Sequence, residues 1–292
     1  MKDKLMKLII HGGFLSEYAD DHDSLRNKRK ALETIVKKGY EYLLKNSAKD
    51  TAAYAVSLLE DDELFNAGTG SRLQADGVIR MSAALMDGTT LNFSAVMNIE
   101  AVKNPVMVAK ALSLQSDKVL DGHNATLFAR SLNQPYYNPE TLYRRRDYES
   151  KRRTSGTGTV GCVCLDSEGN LAASTSTGGK GQEMPGRISD SATVAGTYAN
   201  KYCGISVTGV GEDIVDTALA AKIVTRVTDG MSIQDAFIKS FDELNEIRGL
   251  AGAIGIDKNG VFMVQHSEPA IAYAAYDGEL LETFSINNVK NL

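Results

Sequence analysis

The step Gly158-Thr159 stands where a basic, small-residue tract gives way to an alternating strand. A threonine hydroxyl is a weak nucleophile until a base removes its proton. No histidine–aspartate pair lies nearby in sequence. Cutting the Gly158–Thr159 bond would supply a different base, because it frees an α-amino group beside the Thr159 hydroxyl. Such an amine has a reference pKa of about 7.7 to 8.0, so a useful fraction is neutral and basic near pH 7. Glycine at 158 tolerates backbone conformations that other residues resist, and the segment upstream would give slack after a cut. Strand propensity offers a plainer account, with Thr159 as a β-former that opens a strand.

The elements that must position this step follow from periodicity. Lys7 to His11 reads as a strand closed by Gly12-Gly13, and Asp23 to Lys45 carries apolar residues at helical spacing. Asp50 to Leu59 reads as a second helix with Asp50 and Thr51 as N-cap candidates. Val78 to Met86 and Leu91 to Val96 pair around the turn Asp87-Gly88. Pro105 suits the first turn of a helix, and Asn124 to Ser131 reads as a short one. Residues 132–158, rich in charge, proline and tyrosine, read as an exposed linker. Beyond it, Thr159 to Leu165 and Leu171 to Ser176 form a hairpin. Glu212 to Val227 and Ser232 to Asn245 read as helices. Gly252 to Ile256, Val261 to Gln265 and Ala270 to Tyr276 read as strands.

A chain of 292 residues with 43% hydrophobic and 24% charged residues has the composition of a globular protein. A net charge of −5 gives no overall attraction to nucleic acid or anionic membrane. The basic clusters Arg144-Arg145-Arg146 and Lys151-Arg152-Arg153 are interrupted by Asp147 and Glu149, which reads as a solvated linker rather than a nucleic-acid stripe. Apolar runs fall short of the roughly 20 residues of a membrane helix. The opening "MKDKLMKLIIHGGF" lacks the long apolar region of a secretory signal, so a cytoplasmic location is expected. Cys162, Cys164 and Cys203 show no metal or disulfide spacing and are expected to pack as small core residues. The four histidines are scattered without metal spacing.

The motifs "HGG" (11–13), "FNAGTGS" (65–71), "MDG" (86–88), "NP" (104–105), "GTVG" (158–161), "STGG" (176–179), "GRISDS" (186–191) and "TGVGE" (208–212) occur in this order over nearly the whole chain. In them the sequence resembles the plant-type asparaginase and isoaspartyl peptidase family of N-terminal-nucleophile hydrolases. The resemblance implies a single domain over 1–292, built as an αββα sandwich of two stacked sheets between helices. It implies self-cleavage into 1–158 and 159–292, with Thr159 as nucleophile and Thr177 orienting it. Arg187 and Asp190 would hold the substrate's free amino-acid end, guanidinium on carboxylate and carboxylate on ammonium. Thr208 and Gly209 would form the oxyanion hole, with Gly211 in the substrate loop. Asn66 would support the nucleophile from a loop with a structural sodium ion, and the chemistry itself would need no cofactor. The expected assembly is a dimer of cleaved heterodimers, acting on L-asparagine or β-aspartyl dipeptides, with no nucleic-acid or membrane partner.

The sequence also departs from the family pattern. Phe14-Leu15 follows the "HGG" motif, Ser82 replaces an aspartate, Ser94-Ala95-Val96 replaces Gly-Ala-Val, and Ala251 replaces a glycine in "RGLAGAIGI". A glycosylasparaginase-like enzyme, and a maturation-impaired member acting as a binding protein, are the alternatives. Gly158-Thr159-Val160 favours the isoaspartyl peptidase branch over the first. The intact set Thr159, Thr177, Arg187, Asp190 and Thr208 argues against the second.

Overall fold

Strand β1 (Lys7–Phe14) shows how the layers are built. Side chains alternate between its faces, so Leu8 and Ile10 join one hydrophobic core while Ile9 joins another. Both faces are covered, and every residue from Leu8 to Phe14 is buried. The structure is a computed structural model that describes residues 6–15, 22–150, 158–267 and 270–285.

In chain order β1 is followed by α1 (His22–Leu43), α2 (Ala48–Glu60), β2 (Met81–Asp87), β3 (Asn92–Ile99), α3 (Pro105–Leu112) and β4 (Val119–Asp121). Next come α4 (Gly122–Ser131), α5 (Leu142–Glu149), β5 (Val160–Leu165) and β6 (Leu171–Thr177). After a 3-10 turn at Asp190–Ala192 the chain forms β7 (Thr197–Ala199), β8 (Cys203–Gly209), α6 (Gly211–Thr217), α7 (Leu219–Thr228) and α8 (Ile233–Glu246). It ends with β9 (Ala251–Asp257), β10 (Phe262–His266), β11 (Ile271–Tyr276) and β12 (Leu281–Thr283).

Eight strands form one sheet in the order β12-β11-β1-β5-β6-β2-β3-β4, and four form a second in the order β10-β9-β8-β7. The only parallel pair among them is β3 with β4. Helices α1 to α4 share a core with the outer face of the large sheet, and α7 and α8 share one with the small sheet. Between the sheets Ile9, Val163, Leu165 and Ala173 meet Ile254 and Ile256. This is the expected αββα sandwich. Cys162 and Cys164 lie on the helix side of β5, and all three cysteines are free and buried.

Four local expectations change. Helix α2 is capped by Ser47, whose hydroxyl accepts the Asp50 N–H at 3.1 Å, and not by Asp50 or Thr51. The helix expected over 212–227 breaks at Ala218, which adopts a left-handed conformation (φ 50°). Two amides freed at the start of α7 pair instead with the loop before β7, Ala220 N with Ala195 O and Ala221 N with Val194 O. Strands β4, β7, β8 and β12 are absent from the elements that periodicity predicts.

The fourth change falls in the expected linker. Residues 142–149 form α5, with Thr141 capping it and Arg144 buried; Arg144 Nε donates to Gly70 O at 2.6 Å. Tyr148 Oη donates to Ala75 O at 3.1 Å. This stretch docks through arginine and tyrosine rather than an apolar stripe, so it carries no helical period. The second basic cluster, 151–153, lies outside the described residues. Among the described residues no helix is long and apolar enough to cross a membrane.

The cap at Ser47 gives a direct test of the α2 assignment. Ser47→Ala is expected to destabilise the protein by about 1 kcal/mol, read as a lower midpoint in urea at unchanged slope. An unchanged midpoint would remove Ser47 as the cap.

Candidate active site

Thr177 is the last residue of β6, and Thr159 immediately precedes β5. With Val160 opposite Ser176 in the ladder, the two threonines fall side by side. Thr159 Oγ1 donates to Thr177 Oγ1 at 3.3 Å. The Thr177 hydroxyl donates onward to the Gly158 carbonyl oxygen at 3.2 Å and accepts the Gly179 N–H at 3.1 Å. One proton given and two accepted uses the full capacity of that hydroxyl.

Asn66 approaches the same carbonyl from the loop after α2. Its Nδ2 donates to Gly158 O at 2.8 Å and also to Gly179 O. Its Oδ1 accepts the Arg72 N–H at 3.0 Å, which fixes which end of the amide is which. The Gly158 carbonyl oxygen therefore holds two hydrogen bonds, from Asn66 and from Thr177, directly beside the Thr159 hydroxyl.

Beside them opens a cleft of about 870 Å³. Gly158, Thr159, Thr177, Arg187, Asp190, Gly209 and Gly211 all line it. Gly209 has φ 146°, and a side chain there would collide with the Leu250 carbonyl. Gly211 leaves the floor open: a Cβ would sit 2.6 Å from Arg187 Nη2 and 3.0 Å from Asp190 Oδ1. Arg187 and Asp190 thus converge on one small space. Two expected residues lie outside the lining: Asn66, buried in its loop, and Thr208, fully buried one position before Gly209.

Arg187 engages a residue that the motifs do not single out. Its Nε and Nη2 meet Glu212 Oε1 and Oε2 at 3.1 and 3.0 Å, and Lys180 Nζ shares Oε1 at 3.2 Å. Partial burial pushes the Glu212 carboxyl up, but Arg187 outweighs this and holds it at about 2. In the sequence Glu212 is marked only as the last residue of "TGVGE", at the start of a helix. Asp190 is buried with no partner on Oδ2. Burial pushes its carboxyl up to about 7 against the pull of the Arg187 guanidinium.

Two residues of β1 lie near the site without lining it. His11 Nε2 is 2.9 Å from Ser206 Oγ, and burial lowers the imidazole to about 3, so it is neutral and no source of a cationic acid. Phe14 packs in the core between the sheets and does not line the cleft. In the Asn66 loop the carbonyls of Glu60 and Asp62 accept the amides of Thr69 and Phe65 at 2.7 and 3.1 Å. Each keeps a lone pair, an oxygen donor of the kind that a hard cation takes. Among the described residues no cluster of three or more His, Cys, Asp or Glu could hold a metal.

Two sheets between helices, with a threonine at a strand start facing a second threonine, define the architecture of an N-terminal-nucleophile hydrolase. The profile of the family described as asparaginase matches residues 4–154 and 143–286. The chain is 43% identical over 291 residues to an isoaspartyl peptidase/L-asparaginase of Synechocystis sp., covering 93% of this chain and 88% of that one. A protein of the same name from Nostoc sp. is 42% identical over 294 residues, covering 94% and 92%. A plant-type L-asparaginase of Pyrococcus furiosus is 36% identical over 284 residues, covering 88% and 91%. The chain belongs to this asparaginase family, and it is an enzyme.

The raised Asp190 carboxyl has a measurable consequence. The unfolded chain releases this proton near 3.8 and the folded one near 7, so between these values the folded state binds more protons. Stability therefore falls as pH rises through this window. Asp190→Asn removes that slope: the melting temperature of the wild type relative to the variant is expected to decline from pH 4 to 7 and then level. A constant difference across that range would mean that Asp190 is ionised throughout.

Proposed function

We propose that this enzyme activates itself by cleavage at Gly158–Thr159 and then hydrolyses the side-chain amide of L-asparagine or of β-aspartyl dipeptides. The observation that carries the reading is the pair of donors on the Gly158 carbonyl beside the Thr159 hydroxyl. In the first step Thr159 Oγ1 bonds to the Gly158 carbonyl carbon. Charge that develops on the carbonyl oxygen is stabilised by Asn66 and Thr177. The peptide C–N bond then breaks, the amine of Thr159 takes the proton, and water hydrolyses the resulting ester.

The freed amine becomes the general base for substrate attack, with Thr177 orienting the hydroxyl. Arg187 receives the substrate α-carboxylate and Asp190 its α-ammonium, beside the open floor at Gly211. Glu212 already occupies the Nε–Nη2 side of Arg187, which leaves the far end of the fork for a ligand. Gly209, which lines the cleft, holds the oxyanion of the substrate carbonyl with Thr208 buried directly behind it, and the released amine or ammonia leaves before water frees aspartate. A cleft of about 870 Å³ has room for a dipeptide as well as for asparagine. The relatives named as isoaspartyl peptidase/L-asparaginase support both substrates. The same proposal includes a sodium ion in the Asn66 loop, no chemical cofactor, a dimer of cleaved heterodimers and a cytoplasmic location, in keeping with three free thiols.

Intact mass spectrometry of the wild type beside Thr159→Ala tests the reading. Two fragments meeting at Gly158–Thr159 are expected from the wild type and none from the variant. Hydrolysis of β-aspartyl dipeptides and L-asparagine by the variant is expected to fall by about 10³-fold or more. A wild-type chain that hydrolyses neither substrate would refute the assignment.

A further inference from the structure

Glu60, the last residue of α2, is fully buried near the site and plays no part in the chemistry above. Its Oε1 accepts the Ser176 hydroxyl at 2.6 Å and the Val106 N–H, in the first turn of α3, at 3.0 Å. Its backbone carbonyl accepts the Thr69 N–H at 2.7 Å. Gly68 lies against it so closely that a Cβ there would be 2.5 Å from Glu60 Cβ. Ser176 adjoins Thr177 on β6 and points to the opposite face. Thr69 and Gly68 belong to the loop that carries Asn66. One buried residue is thus tied both to the strand end bearing Thr177 and to the loop bearing Asn66.

Those two side chains are the donors on the Gly158 carbonyl oxygen. We propose that Glu60 is a positioning residue for cleavage of the Gly158–Thr159 bond, setting how the Asn66 and Thr177 donors close on the carbonyl between them. The proposal rests on the self-cleavage reading given above. Burial pushes the Glu60 carboxyl up to about 8 against hydrogen bonds from Ser176, Val106 and Asn104, so it is neutral at pH 7. The charge acting on it is Asp61, on its own helix end, which pairs with Lys103 at 2.8 Å. From β6 and α3 it meets the uncharged groups Ser176 and the Val106 amide. A neutral carboxyl is far less costly to bury than a carboxylate, and glutamine reproduces its shape, its neutrality and its acceptor oxygen.

The test follows the appearance of the two fragments by intact mass in the full chain, for wild type, Glu60→Gln, Glu60→Ala and Ser176→Ala, with a thermal melt of each. Displacing a reacting geometry by an ångström costs about 10²-fold. Ser176→Ala and Glu60→Ala are therefore expected to cleave about 10-fold or more slowly, with Glu60→Gln within about threefold of the wild type. If Glu60→Ala does not fold, Ser176→Ala and Glu60→Gln decide the matter. A folded Ser176→Ala that cleaves at the wild-type rate, or a folded Glu60→Gln that cleaves as slowly as Ser176→Ala, overturns the proposal. A wild-type chain that never splits at 158–159 overturns the self-cleavage reading itself, an outcome distinct from a wild type that splits and a Ser176→Ala that keeps pace with it.

Discussion

Val160 lies opposite Ser176 in the β5–β6 ladder, and the placement of Thr159 beside Thr177 depends on that register. Side chains alternate along a strand, so a slip of one residue would turn Thr177 to the helix-covered face and bring Ser176 to the cleft. What prevents the slip is burial on both sides. Val163, Leu165, Leu171 and Ala173 fill the space between the sheets, while Cys162, Cys164 and Ala172 face the helices. The apolar core and the polar site are consequences of one pairing, and neither can move without the other.

Around that pairing two buried acid–base groups are held neutral. Burial lowers His11 to about 3 and raises Glu60 to about 8, so both are neutral near pH 7. An ion without a partner would be far more costly to bury than these neutral forms. In the cleft, Glu212 is half exposed and pairs with Arg187 and Lys180. Asp190 stands between these regimes, buried yet within reach of a guanidinium.

Elements with a clean period are legible in the residues alone. The helical spacing over α1 buries one face, and burial of one face writes a period into the residues, while β1, buried on both faces, is marked by an unbroken apolar run. Helix α5 carries no such mark because it docks through Arg144 and Tyr148, whose polar ends find backbone carbonyls at Gly70 and Ala75. The break at Ala218 is equally silent. Alanine favours helix, and the kink is held by carbonyls of residues 194 and 195, which lie outside the 212–227 window altogether. Strand β8 does carry an alternation, Cys203, Ile205 and Val207 against Gly204, Ser206 and Thr208, but it is short and is set among glycines.

Of the site, the sequence by itself determined the reagents and their local spacing. It supplied a glycine–threonine step at a strand start, a second threonine on the facing strand, an arginine three residues from an aspartate, and glycines where backbone must come close. Each of these is a relation between neighbours along one strand or turn, which period and stereochemistry control. Only the tertiary structure decided that Arg187 pairs with Glu212, that Phe14 turns into the inter-sheet core, and that Thr208 lies buried behind Gly209. It alone joined Glu60 to Ser176, 116 residues apart in the chain. Contacts across such separations are set by how whole layers pack, and local spacing carries no record of which distant polar group will fill the space that packing leaves.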